Sequence, residues 1–213
     1  METRSMKIQS KANKSITMDV IPGHFATNHS HVNYYVDLSS IKTRHKMAKE
    51  VADLLCSKYF DTTAIDTIIC LEGTEMIGAF LANALSQGGH VKMNSGKDIN
   101  VITPEQNSNN QMIFRDNTQK IIYDKNVLLL MASASTGKTI DRSVECIEYY
   151  SGVLVGIAAI FSATREVKEL PVNAIFTEKD IHNYKTFKPG ECENCTKGRK
   201  LEAIINSYGY SKI

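Results

Sequence analysis

The chain has 213 residues, 42% hydrophobic and 23% charged, with a formal net charge of +2 at pH 7. That is enough chain to fold around one sizeable core without disulfides or metal, and too little charge to require a nucleic-acid partner. No run approaches the ~20 apolar residues of a membrane span. The first 15 residues are polar and basic with no apolar signal core, so the expected location is the cytoplasm, with 1–15 a mobile arm. Five cysteines, an odd number, do not read as a disulfide framework. Cys70 and Cys146 fall in apolar strand and helix patterns and read as core thiols.

Taken in chain order, Ile41, His45, Ala48, Val51, Ala52 and Leu55 recur at helical spacing and predict a first helix over 41–59. Residues 67–71 are a short, continuously apolar strand that runs into Glu72, Gly73, Thr74 and Glu75. A helix over 76–85 follows, ended by Gly88 and Gly89. A strand at 99–102 is closed by Pro104, and 111–115 with 120–123 flank Asp116, Asn117 and Thr118 in the pattern of a hairpin. The apolar strand 127–131 leads through a loop of small, hydroxylated residues into a helix over 139–150, with Ile140, Val144, Ile147 and Tyr150 as its buried stripe. Apolar strands follow at 153–161 and 172–176. The tail, 181–213, carries Pro189 and Gly190, a Cys-x-x-Cys at Cys192 and Cys195, and a last short helix around 201–207.

Strands apolar on both faces, alternating with helices, imply one α/β domain over 1–213: a parallel central sheet flanked by helices, of the Rossmann type. Ligands of such sheets bind beyond the carboxyl ends of the strands. Two loops with phosphate-binding chemistry leave such ends, 72–75 and 132–139. In the second, loop N–H groups and a helix N-terminus converge on one point, Ser133, Ser135, Thr136 and Thr139 add hydroxyls, and Gly137 permits close approach. No carboxylate lies between Asp124 and Asp141, so this loop holds no acid for a metal or a sugar diol. A P-loop NTPase reading fits poorly: Ala132 stands where the first glycine of GxxxxGK-S/T belongs, and Glu178 is the single candidate acid for Mg²⁺ on a neighbouring strand.

The strand 127–130 and the turn 135–139 resemble the phosphoribosyl pyrophosphate loop of type I phosphoribosyltransferases. Residues 66–79 resemble that family's pyrophosphate loop and following helix. Residues 25–37, from Phe25 through Tyr35 to Asp37, resemble an N-terminal segment of the orotate phosphoribosyltransferases, and 192–198 a Cys-x-x-Cys ending seen in some of them. The resemblance implies a phosphoribosyltransferase-like fold and transfer of ribose 5-phosphate from phosphoribosyl pyrophosphate to a nucleobase, orotate first, with Mg²⁺. It also implies a homodimer with a phosphorylated small-molecule ligand, while the small net charge and the lack of a long apolar run leave neither nucleic acid nor membrane as an expected partner. By resemblance, Ala134, Ser135, Thr136, Gly137, Lys138 and Thr139 hold the 5′-phosphate. Glu72, Gly73, Thr74 and Glu75 present N–H groups to the diphosphate, and Arg142 takes the carboxylate of the base through two parallel hydrogen bonds. The alternatives are a solvated helix-start Lys138 and a surface Arg142 paired with Glu145 or Glu148.

The departures are as informative. Met131 and Ala132 stand where the family carries two acids that support the developing positive charge on the sugar, so no catalytic residue is assigned. Losing both costs on the order of 10²-fold in rate unless another acid substitutes. The family's long catalytic loop is shortened to the expected hairpin, with Arg115 and Lys120 its cations. A second function therefore stays open, that of a non-catalytic binding or regulatory protein for a ribose phosphate or nucleotide. A zinc site needs four ligands, and the tail Cys-x-x-Cys supplies two. His24, His29 and His31 complete a site only if the fold or a dimer brings them there, so no metal site is expected and the tail pair reads as a structural turn.

Overall fold

The two-sided apolar segments pair in parallel, as their burial requires. The computed structural model describes residues 2–87, 93–107, 111–188 and 190–213. The chain opens with β1 (Met6–Gln9), β2 (Thr17–Ala26) and β3 (His31–Asp37), then α1 (Ser39–Thr43) and α2 (His45–Tyr59). Next come β4 (Thr67–Cys70), α3 (Glu75–Ser86), β5 (Asn100–Ile102), the two-residue strands β6 (Glu105–Gln106) and β7 (Met112–Ile113), and the short α4 (Asp116–Gln119). The centre is completed by β8 (Asn126–Ala134), α5 (Lys138–Tyr149), β9 (Val153–Ser162), β10 (Glu166–Val167) and β11 (Leu170–Thr177). The tail holds β12 (Thr186–Phe187), α6 (Glu193–Thr196), β13 (Ala203–Asn206) and β14 (Gly209–Lys212).

The central sheet has the order β10-β11-β9-β8-β4-β5 and is parallel except at the edge strand β10. Successive side chains point to opposite faces. Ile68 and Cys70 of β4 with Leu128 and Leu130 of β8 pack in the core formed with α2 and α3, while Ile69, Val127, Leu129 and Met131 pack with Ile140, Val144 and Ile147 of α5. Each face is thus closed by helices, as the strand pattern implied. Tyr59 at the end of α2 is a polar pin in this core. Its hydroxyl donates to the Ile157 carbonyl at 2.7 Å and accepts from Asn173 Nδ2 at 3.0 Å, and burial pushes its pKa up to about 12. Tyr59→Phe strands both partners in the interior and is expected to destabilise the fold by about 1–3 kcal/mol in urea unfolding. A loss within experimental error would show that the hydroxyl is dispensable.

A second, smaller sheet covers one end, in the order β12-β3-β2-β13-β14, with β1 also on β2. It joins the beginning of the chain to its end: β13 lies parallel to β2, with Ala203 opposite Phe25. Ile21, Phe25, Val32, Tyr35, Ala203 and Ile205 form its core.

Several expectations are corrected here. Residues 6–9, assigned to a mobile arm, form β1 against β2. The helix expected around 201–207 is strand β13, in which Ala203 and Ile205 are buried and Ile204 and Asn206 exposed. Its apolar residues have no strict period, and the open edge of β2 decides for a strand. The hairpin expected about Asp116–Thr118 is instead the helical turn α4, and the hairpin lies earlier, between β6 and β7. The first helix breaks at Arg44, whose backbone is extended. Gly88 and Gly89, read as the end of a helix, and Pro189 of the tail lie outside the described residues. Among the described residues no helix is long and apolar enough to cross a membrane.

Candidate functional site

The cleft lies where the carboxyl ends of β4 and β8 meet the second sheet. Strand β8 carries Met131 and Ala132, 0% and 1% exposed, two residues further into the core than an acid pair at its end would need. It stops at Ala134, and the chain turns through Ser135 and Thr136 to Gly137, which caps α5 in the left-handed conformation with φ +75°. No side chain caps this helix. The Asp141 N–H is bonded to the Gly137 carbonyl at 2.9 Å, which leaves the N–H groups before it without intrahelical partners, at the positive end of the helix. Ala134, Ser135, Thr136, Gly137 and Thr139 line the cleft, and Thr27, Asn28 and His29 from the β2–β3 loop face them with Asn206 and Ser207 from the tail. Five of the six residues expected to form the cradle thus line one cleft, and the tail wall was not foreseen. Lys138 is exposed at the first position of α5.

The opposite loop, between β4 and α3, is built differently from the expectation. Glu72 and Gly73 both have positive φ, 63° and 79°, so the chain reverses sharply, and a non-glycine residue in this region carries strain. The turn swings the Glu72 carboxylate into the cleft, where it accepts the Ser133 N–H at 3.0 Å. An acid from the neighbouring strand thus reaches the end of β8, where Met131 and Ala132 provide none. Burial raises the Glu72 pKa above the ordinary carboxylate value, against the opposing effects of the Ser133 N–H and the Lys42 ammonium. Lys42 ties the loop to the tail, since Nζ donates to the Glu72 carbonyl at 3.0 Å and to the Ser207 carbonyl at 2.5 Å. Burial lowers its own pKa, with Glu72, Asp37 and Glu75 pulling the other way. Nothing in the sequence marks Lys42, which lies on a helical segment among other basic residues. Thr74 is buried, and its hydroxyl is already committed to the Leu71 carbonyl at 2.9 Å and the Leu130 carbonyl at 3.2 Å. Glu75 is exposed and accepts from Thr103 Oγ1 at 2.9 Å.

Arg142, one turn into α5, lines a recess that adjoins the cleft and shares Asn28, His29, Glu72, Thr139 and Ser207 with it. Among the described residues it makes no ion pair; Glu148, one of its expected partners, pairs with Lys168 instead. His29 sits close enough to feel both cations of α5: burial first, then the charges of Arg142 and Lys138, lower its pKa below the ordinary imidazole value. The two expected hairpin cations are not at the site. Arg115 is bound to Glu105 through Nε and Nη2, at 3.0 Å and 2.6 Å. Lys120 precedes Ile121, whose carbonyl accepts from Thr67 at the amino end of β4, away from the cleft. Outside the cleft, Cys192 and Cys195 of the tail lie against His24 and His31.

A parallel sheet with two helix N-termini at its carboxyl ends, covered there by a smaller sheet of the two chain ends, is the phosphoribosyltransferase fold. Solved structures bear this out. The chain is similar to orotate phosphoribosyltransferase of Mycobacterium tuberculosis in complex with 5-phospho-α-D-ribosyl 1-diphosphate (TM-score 0.50, 15% identity, over 68% of this chain and 82% of that one). It is similar to adenine phosphoribosyltransferase from Thermoanaerobacter pseudethanolicus (TM-score 0.51, 13% identity, 83% and 96%). It is also similar to UMP synthase of Leishmania donovani (TM-score 0.52, 14% identity, 75% of this chain), of which it spans 34%. Neither a protein-family profile nor a curated protein sequence matches the chain. At these identities the likeness defines the fold.

Proposed function

We propose that the cleft binds phosphoribosyl pyrophosphate and that the protein is a phosphoribosyltransferase, with orotate as its first candidate base. One observation carries the reading: the Glu72 carboxylate stands at the end of β8 beside the phosphate cradle. The N–H groups and hydroxyls of the cradle hold the 5′-phosphate, and the α5 dipole favours its charge. The bond from ribose C1 to the pyrophosphate oxygen breaks, pyrophosphate leaves with the electron pair, and a base nitrogen forms the new bond to C1 as its N–H proton passes to the departing pyrophosphate. Ionised Glu72 stabilises the positive charge that develops on the sugar, the role left open by Met131 and Ala132. Lys42 holds Glu72 and the tail wall in place through their carbonyls. Exposed Glu75 and cleft-facing Glu72 would hold Mg²⁺ together with substrate phosphates, and the ion would supply charge to offset the diphosphate.

The test is titration of phosphoribosyl pyrophosphate into the protein with and without Mg²⁺, followed by a pyrophosphate-release assay with orotate. Saturable binding with release of pyrophosphate and formation of orotidylate is expected. The absence of both would overturn the reading. Arg142→Ala is expected to raise KM for orotate by about tenfold or more, the value of one charge-assisted hydrogen bond, and to leave phosphoribosyl pyrophosphate affinity unchanged. An unaltered KM would remove Arg142 from the base subsite. The same reading carries a homodimer, which sedimentation velocity checks.

A second reading is favoured by two specific observations. Met131 and Ala132 are core residues, and Arg115 pairs with Glu105 on the surface and does not line the cleft. On this reading the protein binds a ribose phosphate or nucleotide without turning it over. Tight, saturable binding with no pyrophosphate released for any nucleobase would establish it.

A further inference from the structure

The tail Cys-x-x-Cys is not an isolated turn. The imidazoles of His24 in β2 and of His31 at the start of β3 meet Cys192, which caps α6, and Cys195 within it. The four ligand atoms lie within 4.8 Å of one another. His24 Nε2 is 3.2 Å from His31 Nδ1, and 3.4 Å and 3.6 Å from the sulfurs of Cys192 and Cys195. Cys195 Sγ is 3.3 Å from His31 Nδ1. A zinc tetrahedron with bonds of about 2.05 Å to nitrogen and 2.3 Å to sulfur has edges of about 3.4 Å between nitrogens and about 3.5 Å from nitrogen to sulfur. These four spacings lie within about 0.2 Å of those lengths, and both thiols are free.

The surroundings fit a metal as well. His24 Nδ1 faces the Arg199 carbonyl at 3.0 Å. A proton on Nδ1 satisfies that bond and leaves the Nε2 lone pair directed at the cluster, which is how a metal-bound imidazole is commonly oriented. Gly198, with φ +67°, turns the chain back after Cys195 so that Arg199 can offer this carbonyl. His24 and Cys192 are 3% and 2% exposed, so one imidazole and one thiol of the cluster are closed off from solvent.

We propose that His24, His31, Cys192 and Cys195 form a structural zinc site. Two imidazoles and two thiolates at tetrahedral spacing suit Zn²⁺ rather than Mg²⁺ or Ca²⁺, which take oxygen ligands. All four positions come from the chain, so no place is left for a reacting water, as in structural rather than catalytic zinc centres. None of the four residues lines the phosphate cleft. The metal acts on the cleft through the segments it joins. His24 and His31 bracket the loop whose Thr27, Asn28 and His29 form one wall, and the cysteines anchor the tail that supplies Asn206 and Ser207. The site therefore staples the last part of the chain to the first, across the weakly local pairing of β13 with β2.

The test is metal analysis of the full chain, purified with any affinity tag removed, by inductively coupled plasma mass spectrometry. About one zinc per chain is expected, falling to background in the Cys192→Ser/Cys195→Ser variant. Because that variant removes a buried sulfur, Cys195→Ser alone provides the second arm, since Cys195 is exposed. Zinc-stripped wild type titrated with Co²⁺ is expected to show the visible bands of a tetrahedral thiolate site, and Cys195→Ser to lose them while its circular dichroism stays folded. Stripping zinc is also expected to lower the melting temperature of the wild type and to leave that of the double variant unmoved. Folded wild type that neither carries zinc nor gives the cobalt spectrum would overturn the proposal. So would undiminished zinc in the double variant, or a Cys192–Cys195 disulfide in metal-free protein isolated under reducing conditions.

Discussion

Glu72→Gln is expected to lower the rate of pyrophosphate release by about 10²–10³-fold, the usual effect of removing one preorganised charge from beside a charged transition state. Affinity for phosphoribosyl pyrophosphate measured without Mg²⁺ should change little, because the amide still accepts the Ser133 N–H and the cradle is untouched. The pH profile separates this from a structural effect. Burial raises the Glu72 pKa, so as pH falls the carboxylate becomes protonated at a pH above the ordinary carboxylate range. Wild-type turnover should lose activity on that acid limb, and the residual activity of Glu72→Gln should not. Stability moves the other way. A carboxyl whose pKa is higher in the folded than in the unfolded state binds its proton more tightly when folded, so the fold loses stability as pH rises from the ordinary carboxylate range through the raised pKa. At neutral pH the ionised group is therefore a cost, and Glu72→Gln is expected to melt at a higher temperature than wild type. Full activity in the variant would show that Glu72 does not take over the role of the missing acids. An unchanged melting temperature would show that its burial carries no cost.

Gly137→Val is expected to weaken binding of phosphoribosyl pyrophosphate and of inorganic phosphate on the order of 10²-fold or more, the loss of one or two charge-assisted hydrogen bonds. The reason is conformational rather than steric blockage of the cleft. A Cβ at Gly137 would lie 3.7 Å from Thr164 and Val167, an ordinary contact on the side of the β9–β10 connection. The φ of +75° is the difficulty: an L residue there costs about 1–2 kcal/mol, and a β-branched one is a genuine outlier. Valine relieves that strain by rotating the peptide, which turns the N–H groups at the start of α5 away from the cleft. The core stays packed, so circular dichroism and cooperative unfolding should persist while calorimetric binding is lost. Undiminished phosphate affinity would show that the anion is held elsewhere.

Restoring acids at Met131 and Ala132 would not test the chemistry. Both side chains are fully buried on opposite faces of β8, so Asp at these positions would place two charges in apolar cores and unfold the chain. This bears on how the protein is read. In sequence, the missing acids look like a simple deletion of charge. In the fold, β8 continues to Ala134, and the Glu72 carboxylate, from the loop after β4, accepts the Ser133 N–H there.

The central sheet was legible because its signals are local. Runs such as 67–71 and 127–131 are apolar without alternation, and that pattern belongs to strands covered on both faces. The cradle was legible for the same reason: a strand, a Ser/Thr/Gly turn and a helix start are contiguous, so sequence order already places Ala134 through Thr139 around one point. The sequence by itself therefore determined the fold class and the strand–turn–helix course that ends at the start of α5. Only the tertiary structure decided the rest. The strand at 203–206 pairs with β14 in a local hairpin and, through Ala203 and Ile204, with β2, a contact across most of the chain that no local period announces. The direction of the Glu72 carboxylate depends on two consecutive left-handed residues and on Lys42, and the freedom of Arg115 depends on Glu105. The meeting of His24 and His31 with Cys192 and Cys195 depends on the second sheet bringing residues |i−j| = 164 to 171 apart to within hydrogen-bonding distance. Local backbone preference and burial act over a few residues and can be read in order; distances between side chains from distant segments are set by packing, and packing is a property of the whole chain.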